Sequence, residues 1–328
     1  MKKLFKCGLA LAAALAMTAC SQESSGEDQT KIGIIQLAEH PALDQCYEGF
    51  MDGLKEAGYT EDNTTFDYQN ASNDQSNCAT IVDKFVNDGD DLIYAIATPS
   101  AQTAAKKTSD IPIIVNAVTD PAASGIVEDN EKPGGNVTGV SDLTPVEKQI
   151  ELLTQILPDA KKIAVMYCSS EDNSKIQATM AEKALDEAGL EWQEATVADS
   201  SSIQQVTESL IGKVDAIYIP TDNLLAEGMS AVAQVANANN MPCIVGESGM
   251  AENGGLATYG IDYYKLGEMA AKQAVEILKD GKSPADMPIE YLDPEDCVLT
   301  INKTVADELG ITIPDDLAAK ATMIETAE

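Results

Sequence analysis

A single histidine, His40, stands among 328 residues, and no serine is set beside it by spacing, so a catalytic dyad has little to build on. There is no GxSxG elbow, no P-loop and no GxGxxG, which removes the usual signatures of hydrolases, nucleotide binders and dinucleotide enzymes. Basic residues are scarce: 21 Lys and Arg against 54 Asp and Glu leave a net charge of −33, and nucleic acid, which needs clustered cations, is excluded as a partner. Aromatic residues make up only 5% of the chain, few for a sugar-stacking cleft. The 7 cysteines match no CxxC metal pattern, and no metal or cofactor is expected. Leaving aside Cys7 and Cys20, an odd set remains (Cys46, Cys78, Cys168, Cys243, Cys297), so free thiols are expected, with Cys46 and Cys78 the one pairing to test. The Asn87–Asp91 run resembles a calcium loop only superficially and reads as a turn.

The first twenty residues are built differently from the rest. Lys2, Lys3 and Lys6 precede an apolar run from Gly8 to Met17, too short to span a bilayer, so residues 1–19 read as a signal peptide. Its loss takes the net charge to −36. The sequence Leu15-Ala-Met-Thr-Ala-Cys20 resembles a bacterial lipobox, which implies cleavage before Cys20, lipidation of its thiol and an extracytoplasmic, membrane-anchored location. Residues 20–30 are polar and acidic and suit a flexible tether.

From Lys31 onward apolar strands alternate with amphipathic helices, which predicts an α/β fold with parallel sheets flanked by helices. Strands are expected over 32–36, 66–69, 92–97, 111–118 and 136–139, with helices over 43–57 and 75–86. The pattern restarts at 143: strands over 162–167, 191–197, 214–219 and 243–246 alternate with helices over 143–157, 173–188, 201–211 and 223–238. A segment at 256–260, a helix over 266–279, a strand over 297–301 and a helix over 303–309 follow. Two such series predict two similar lobes. The sharpest transition is Asp91 to Gln102, where Leu92–Ala97 reads as a buried strand, Thr98 as an N-cap and Pro99 as the first helical residue. Ser100, Ala101 and Gln102 then carry backbone N–H groups free to meet an anion.

Residues just past the strand ends should line one cleft at the carboxyl edges of the sheets. In the first series these are Gln36 and His40; Thr98, Ser100, Ala101 and Gln102; and Val118, Thr119 and Asp120. In the second they are Ser169, Asn173, Thr221, Asp222, Asn223 and Glu247. Hydroxyls and free N–H groups suit a carboxylate, and acids suit an ammonium, so the set fits a zwitterion such as an amino acid. The same residue types are also the preferred helix caps, and a purely capping role is the competing reading.

The segments Ile32-Gly-Ile-Ile-Gln-Leu-Ala-Glu-His-Pro-Ala-Leu-Asp44, Gly49 to Tyr59, Ala97-Thr-Pro-Ser-Ala-Gln102, Val118-Thr-Asp-Pro121, Gly139-Val-Ser-Asp142 and Tyr259 to Gly267 together resemble the tryptophan/tyrosine-type ABC-transporter substrate-binding lipoproteins. The resemblance covers nearly the whole chain after the signal. It implies a type I periplasmic-binding fold with crossovers near 141–144, 259–263 and 287–296. One lobe would hold 31–142 plus about 261–287, the other 143–260 plus about 288–328. Gly139 and Gly260 would serve as hinges. It further implies a monomer that binds an amino acid, aromatic in the understood members (tryptophan, tyrosine or phenylalanine), and works with an ABC permease and ATPase. Ser100 and Ala101, helped by Thr119, would hold the ligand carboxylate; Asp142, Asp222 or Glu247 the ammonium; Asp262 adjoins the second crossover. His40, Leu43 and Tyr167 would shape an apolar slot, and Trp192 would be structural. The alternatives are a binding protein for a sugar, nucleoside or other solute, a sensor domain, and, further off, an extracellular α/β enzyme.

Overall fold

The central strands are apolar throughout rather than alternating: Leu92–Ile96 is buried at every position, and Lys162–Cys168 from Ile163 onward. Parallel strands covered on both faces require that pattern. The computed structural model describes residues 29–326; the signal peptide, Cys20 and nearly all of the tether lie outside them. The first half runs β1 (Thr30–Gln36), α1 (Pro41–Glu56), β2 (Thr64–Asn70), α2 (Gln75–Asp88), β3 (Leu92–Ile96), α3 (Thr98–Lys107), β4 (Ile113–Asn116) and β5 (Val137–Ser141). The second half runs α4 (Val146–Ile156), β6 (Lys162–Cys168), α5 (Asp172–Glu187), β7 (Glu191–Val197), α6 (Ile203–Ser209), β8 (Ala216–Ile219), α7 (Asn223–Glu227), α8 (Met229–Ala238), β9 (Cys243–Val245), α9 (Ser248–Glu252) and β10 (Ala257–Gly260). Then come α10 (Tyr263–Asp280), β11 (Glu290–Tyr291), β12 (Val298–Asn302), α11 (Lys303–Glu308), α12 (Asp315–Ala318) and β13 (Thr322–Ile324).

Two sheets result, ordered β11-β5-β4-β3-β1-β2 and β13-β12-β10-β9-β8-β6-β7. All pairs are parallel except β10 with β12. In each, strand order reverses beside the first strand, at β1/β3 and at β6/β8, and the crevice beyond the carboxyl ends at such a point is where α/β folds bind ligands. The chain passes between sheets three times: after β5, after β10, and between β11 and β12. Residues 290–291, grouped with the second lobe by the sequence, pair with Val140 and Ser141 of the first sheet. They close the edge of β5, and Met287 and Ile289 bury their side chains there.

Helix α10 returns to the first lobe and packs so tightly on α1 that side chains are excluded. A Cβ on Gly49 would overlap the Tyr264 carbonyl oxygen, and one on Gly267 the Cys46 carbonyl oxygen. Gly139 lies inside β5 with φ 152°, where a Cβ would strike the Val115 backbone; it serves close strand packing. The helix expected over 223–238 breaks at Gly228, which lies against Ile203 of α6. Cys46, Cys78, Cys168 and Cys243 are buried free thiols, and Cys297 is a half-buried one. Cys46 and Cys78 are thus unpaired, and the Cys78 sulfur faces Ser100 Oγ at 3.9 Å. Trp192 is half-buried in β7 and donates to Asp186 at 2.9 Å. Among the described residues no helix is long and apolar enough to cross a membrane.

Candidate functional site

The carboxyl ends of the two sheets face each other around a small cavity whose atom-free space, open solvent included, is about 300 Å³. The first lobe contributes His40, Ala42, Leu43, Ala117 and Thr119; the second Asn173, Thr221, Asp222, Asn223, Ala226 and Glu247; the crossovers Asp142 and Tyr263. His40, Thr119, Asn173, Thr221, Asp222, Asn223 and Glu247 are therefore brought together as their positions past strand ends predict, and Asp142, expected from the family resemblance, joins them.

Four carboxylates, each less than a tenth exposed, crowd this region: Asp142, Asp222 and Glu247 on the wall, and Glu171 behind Asn173 and Asn223. Three are committed to backbone N–H groups. Asp222 caps α7, accepting from Leu225 N at 2.8 Å and from Cys168 N at 2.6 Å. Glu247 caps α9, accepting from Gly249 N at 2.5 Å and Met250 N at 2.7 Å. Glu171 accepts from Leu224 N at 3.1 Å and Asn223 N at 3.2 Å, and from the side-chain amides of Asn223 at 2.6 Å and Asn173 at 3.0 Å. Asp142 alone accepts only from hydroxyls outside its own backbone, Thr119 at 3.3 Å and Tyr263 at 3.2 Å.

Burial pushes the Asp142 carboxyl up to about 6. Burial, then the charge of Glu171, pushes Asp222 up to about 7, and burial pushes Glu247 to about 7. Burial lowers His40 to about 4, so the ring is neutral at pH 7; its Nε2 lies 3.4 Å from Asn223 Oδ1. A hydrolase reading would need a serine there, and the partner is an amide. The ion pairs of the described residues involve partly exposed lysines, and none reaches the four acids. The cavity is thus rich in acceptors and negative charge, and a bound cationic group would supply the missing counter-charge. Among the described residues no cluster of three His, Cys, Asp or Glu is arranged to hold a metal ion.

The remaining expected residues have other positions. Gln36 is buried and donates to Ala38 O at 2.8 Å and Asp44 at 2.6 Å, holding the β1–α1 turn. Thr98 is the first residue of α3; the N-cap is Ala97, at φ 80°. Ser100 and Ala101 are fully buried in the first lobe, Ser100 turned toward Cys78 because α3 packs on α2. Gln102 bridges the lobes, donating to Ser124 O at 2.9 Å and to Asp172 Oδ2 at 3.0 Å. Val118 is core, and its carbonyl accepts from Asp142 N at 3.4 Å. Asp120 accepts from Ala122 N at 3.1 Å, Ala123 N at 3.0 Å and Asn130 Nδ2 at 2.9 Å, a turn-forming role. Ser169 is exposed and bonds Val197 O at 3.3 Å; Asp262 is exposed and caps α10 through Lys265 N at 3.0 Å. Tyr167 packs in the second lobe's core with its hydroxyl on Glu194 at 2.8 Å.

The sequence reading missed Ala42, Ala117, Ala226 and Tyr263. Alanines carry no polar signal, and nothing local foretells the left-handed φ of 52° at Ala117. Tyr263 opens α10 on its buried face, beside the second crossover.

Residues 31–325 match the family model described as ABC transporter substrate binding protein. The chain is 43% identical over 325 residues, 93% of its length and 94% of the relative's, to a tyrosine-binding protein of Clostridioides difficile strain R20291. Among solved structures it is similar to an ABC domain from Streptococcus pneumoniae in complex with L-Trp, at 40% identity and TM-score 0.87, covering 90% of this chain and 99% of that one. It is also similar to the ligand-free, open structure of a substrate-binding protein with adhesive properties from Clostridium difficile, at 42% identity and TM-score 0.69, covering 91% and 100%. At nearly equal identity the L-Trp complex superposes better, so the lobes here are arranged as in that complex rather than as in the open form.

Proposed function

The chain belongs to the ABC transporter substrate-binding protein family, and from that premise we propose that it binds an aromatic amino acid between its lobes and delivers it to an ABC permease driven by an ATPase. The observation that carries the ligand class is Asp142: of the four buried acids it is the one whose oxygens are not taken up by helix N-termini. A ligand ammonium placed there gains a charge-assisted hydrogen bond and relieves a desolvated carboxylate. The Thr221 hydroxyl, whose oxygen accepts from Gln177 Nε2 and whose own proton is free, is a donor for the ligand carboxylate, a task that no lysine on the wall can take. Ala42, Ala117 and Ala226, with Leu43, leave an apolar slot where larger residues would fill the space, which suits a flat, bulky side chain. Two relatives at 40% identity or more name an aromatic amino acid, tyrosine in one and L-Trp in the other, and support the same class.

Capture works by population shift. A ligand touching both walls favours the arrangement in which His40 meets Asn223, Gln102 meets Asp172, and Gln177 reaches from the second lobe to Thr119 at 3.2 Å. The protein binds and does not catalyse. It acts outside the cytoplasmic membrane, held there by lipid on Cys20, as a monomer. Calorimetry with the common amino acids tests the reading: saturable binding of tryptophan, tyrosine or phenylalanine is expected, and heat from none of them refutes it.

A further inference from the structure

Two residues that line the cavity each carry a buried acceptor atom without a partner: His40 Nδ1 and Asn173 Oδ1. Both residues are more than nine-tenths buried, His40 at 6% and Asn173 at 5% exposure, so water does not freely satisfy them. Their orientation traces back to Glu171. Its carboxylate accepts two backbone N–H groups, so it is an acceptor, and the amide atoms that meet it at 2.6 Å on Asn223 and 3.0 Å on Asn173 must be the nitrogens. Asn223 therefore turns its Oδ1 toward His40, and the ring nitrogen facing it at 3.4 Å, Nε2, must be the protonated one. Nδ1 is left as a bare lone pair. Asn173, its nitrogen spent on Glu171, Ser174 and the Thr221 carbonyl, is left with an unused oxygen. Burial keeps the His40 ring neutral, hence an acceptor, throughout the neutral range.

We infer that the cavity selects a ligand whose side chain carries its own N–H or O–H donor, an indole or a phenol, over phenylalanine. His40 Nδ1 and Asn173 Oδ1 are the acceptors, and Glu171 is the positioning residue that fixes both. The inference rests on the aromatic amino acid reading above and narrows it. The ammonium is a separate matter: Asp142 bonds Thr119 and Tyr263 and shares no hydrogen-bond partner with either acceptor. A phenylalanine ring set against these atoms would leave them desolvated and unpaired, the situation in which sites discriminate most strongly.

His40 is the only histidine of the chain, so ¹⁵N NMR of the protein, purified without a histidine tag, reports its tautomer without assignment. The expected result is an Nε2–H tautomer in free protein and a shift of the Nδ1 signal on adding tyrosine or tryptophan, with none on adding phenylalanine. In calorimetry, phenylalanine should bind at least about tenfold more weakly than tyrosine, and 1-methyltryptophan at least about tenfold more weakly than tryptophan. His40→Phe should reduce the tyrosine-to-phenylalanine ratio toward one, and Glu171→Gln should disturb the tautomer and lower the same ratio. An Nδ1–H tautomer, equal affinities in the native protein, or an unchanged ratio in His40→Phe overturns the inference while leaving the aromatic reading intact. Failure of every aromatic amino acid to bind overturns both.

Discussion

Replacing Asp142 by asparagine should weaken binding and stabilise the ligand-free protein at once, and the two effects have one cause. Asp142 is 6% exposed, and burial raises its carboxyl from 3.8 to about 6. At pH 8 the folded state therefore carries an ionised group that is harder to ionise than in the unfolded chain by about two pKa units, or roughly 3 kcal/mol. The sign follows from linkage: a raised carboxyl binds protons more tightly in the folded state, so wild-type stability falls as pH rises from about 4 to about 6 and remains reduced above. Asparagine keeps the shape, can still meet the Thr119 and Tyr263 hydroxyls, and removes the buried charge. On the binding side, loss of a charge-assisted hydrogen bond to the ligand ammonium costs about 1.5–3 kcal/mol, roughly 10- to 150-fold in Kd. Calorimetry and thermal unfolding at pH 8 read both effects. Wild-type affinity in the variant would place the ammonium elsewhere; weaker binding with a lower melting temperature would make Asp142 a structural residue.

Ligand affinity of the native protein should fall as pH drops through about 6, approaching tenfold per unit as Asp142 protonates, with no contribution from His40 until pH approaches 4; calorimetry between pH 5 and 8 checks this. Ala226→Leu should fill the apolar slot and weaken tryptophan binding by about 1–3 kcal/mol without lowering the melting temperature comparably, a balance that calorimetry and melting curves compare. Gly267→Ala sets a methyl group against the Cys46 carbonyl and should cost about 1–3 kcal/mol of stability by parting α10 from α1, measurable by urea unfolding.

The sequence by itself determined the βα alternation, the two sheets and the band of residues past the strand ends, because strand and helix periodicity and capping chemistry are local properties. Seven of the residues expected past strand ends line the cavity for that reason. Local chemistry could not tell which polar groups remain free. Asp142, Asp222 and Glu247 look alike in sequence, yet Asp222 is engaged partly by Cys168 N, 54 positions earlier in the chain, while Asp142 is left to two hydroxyls. Ser100 promised an anion site and instead turns toward Cys78, because the packing of α3 on α2 fixes which helical face is buried. The orphan lone pairs of His40 and Asn173 arise only once Glu171 claims two amides and two N–H groups from separate segments. Residue type supplies donors and acceptors; long-range packing decides which of them are already satisfied, and the unsatisfied remainder is what a ligand can meet.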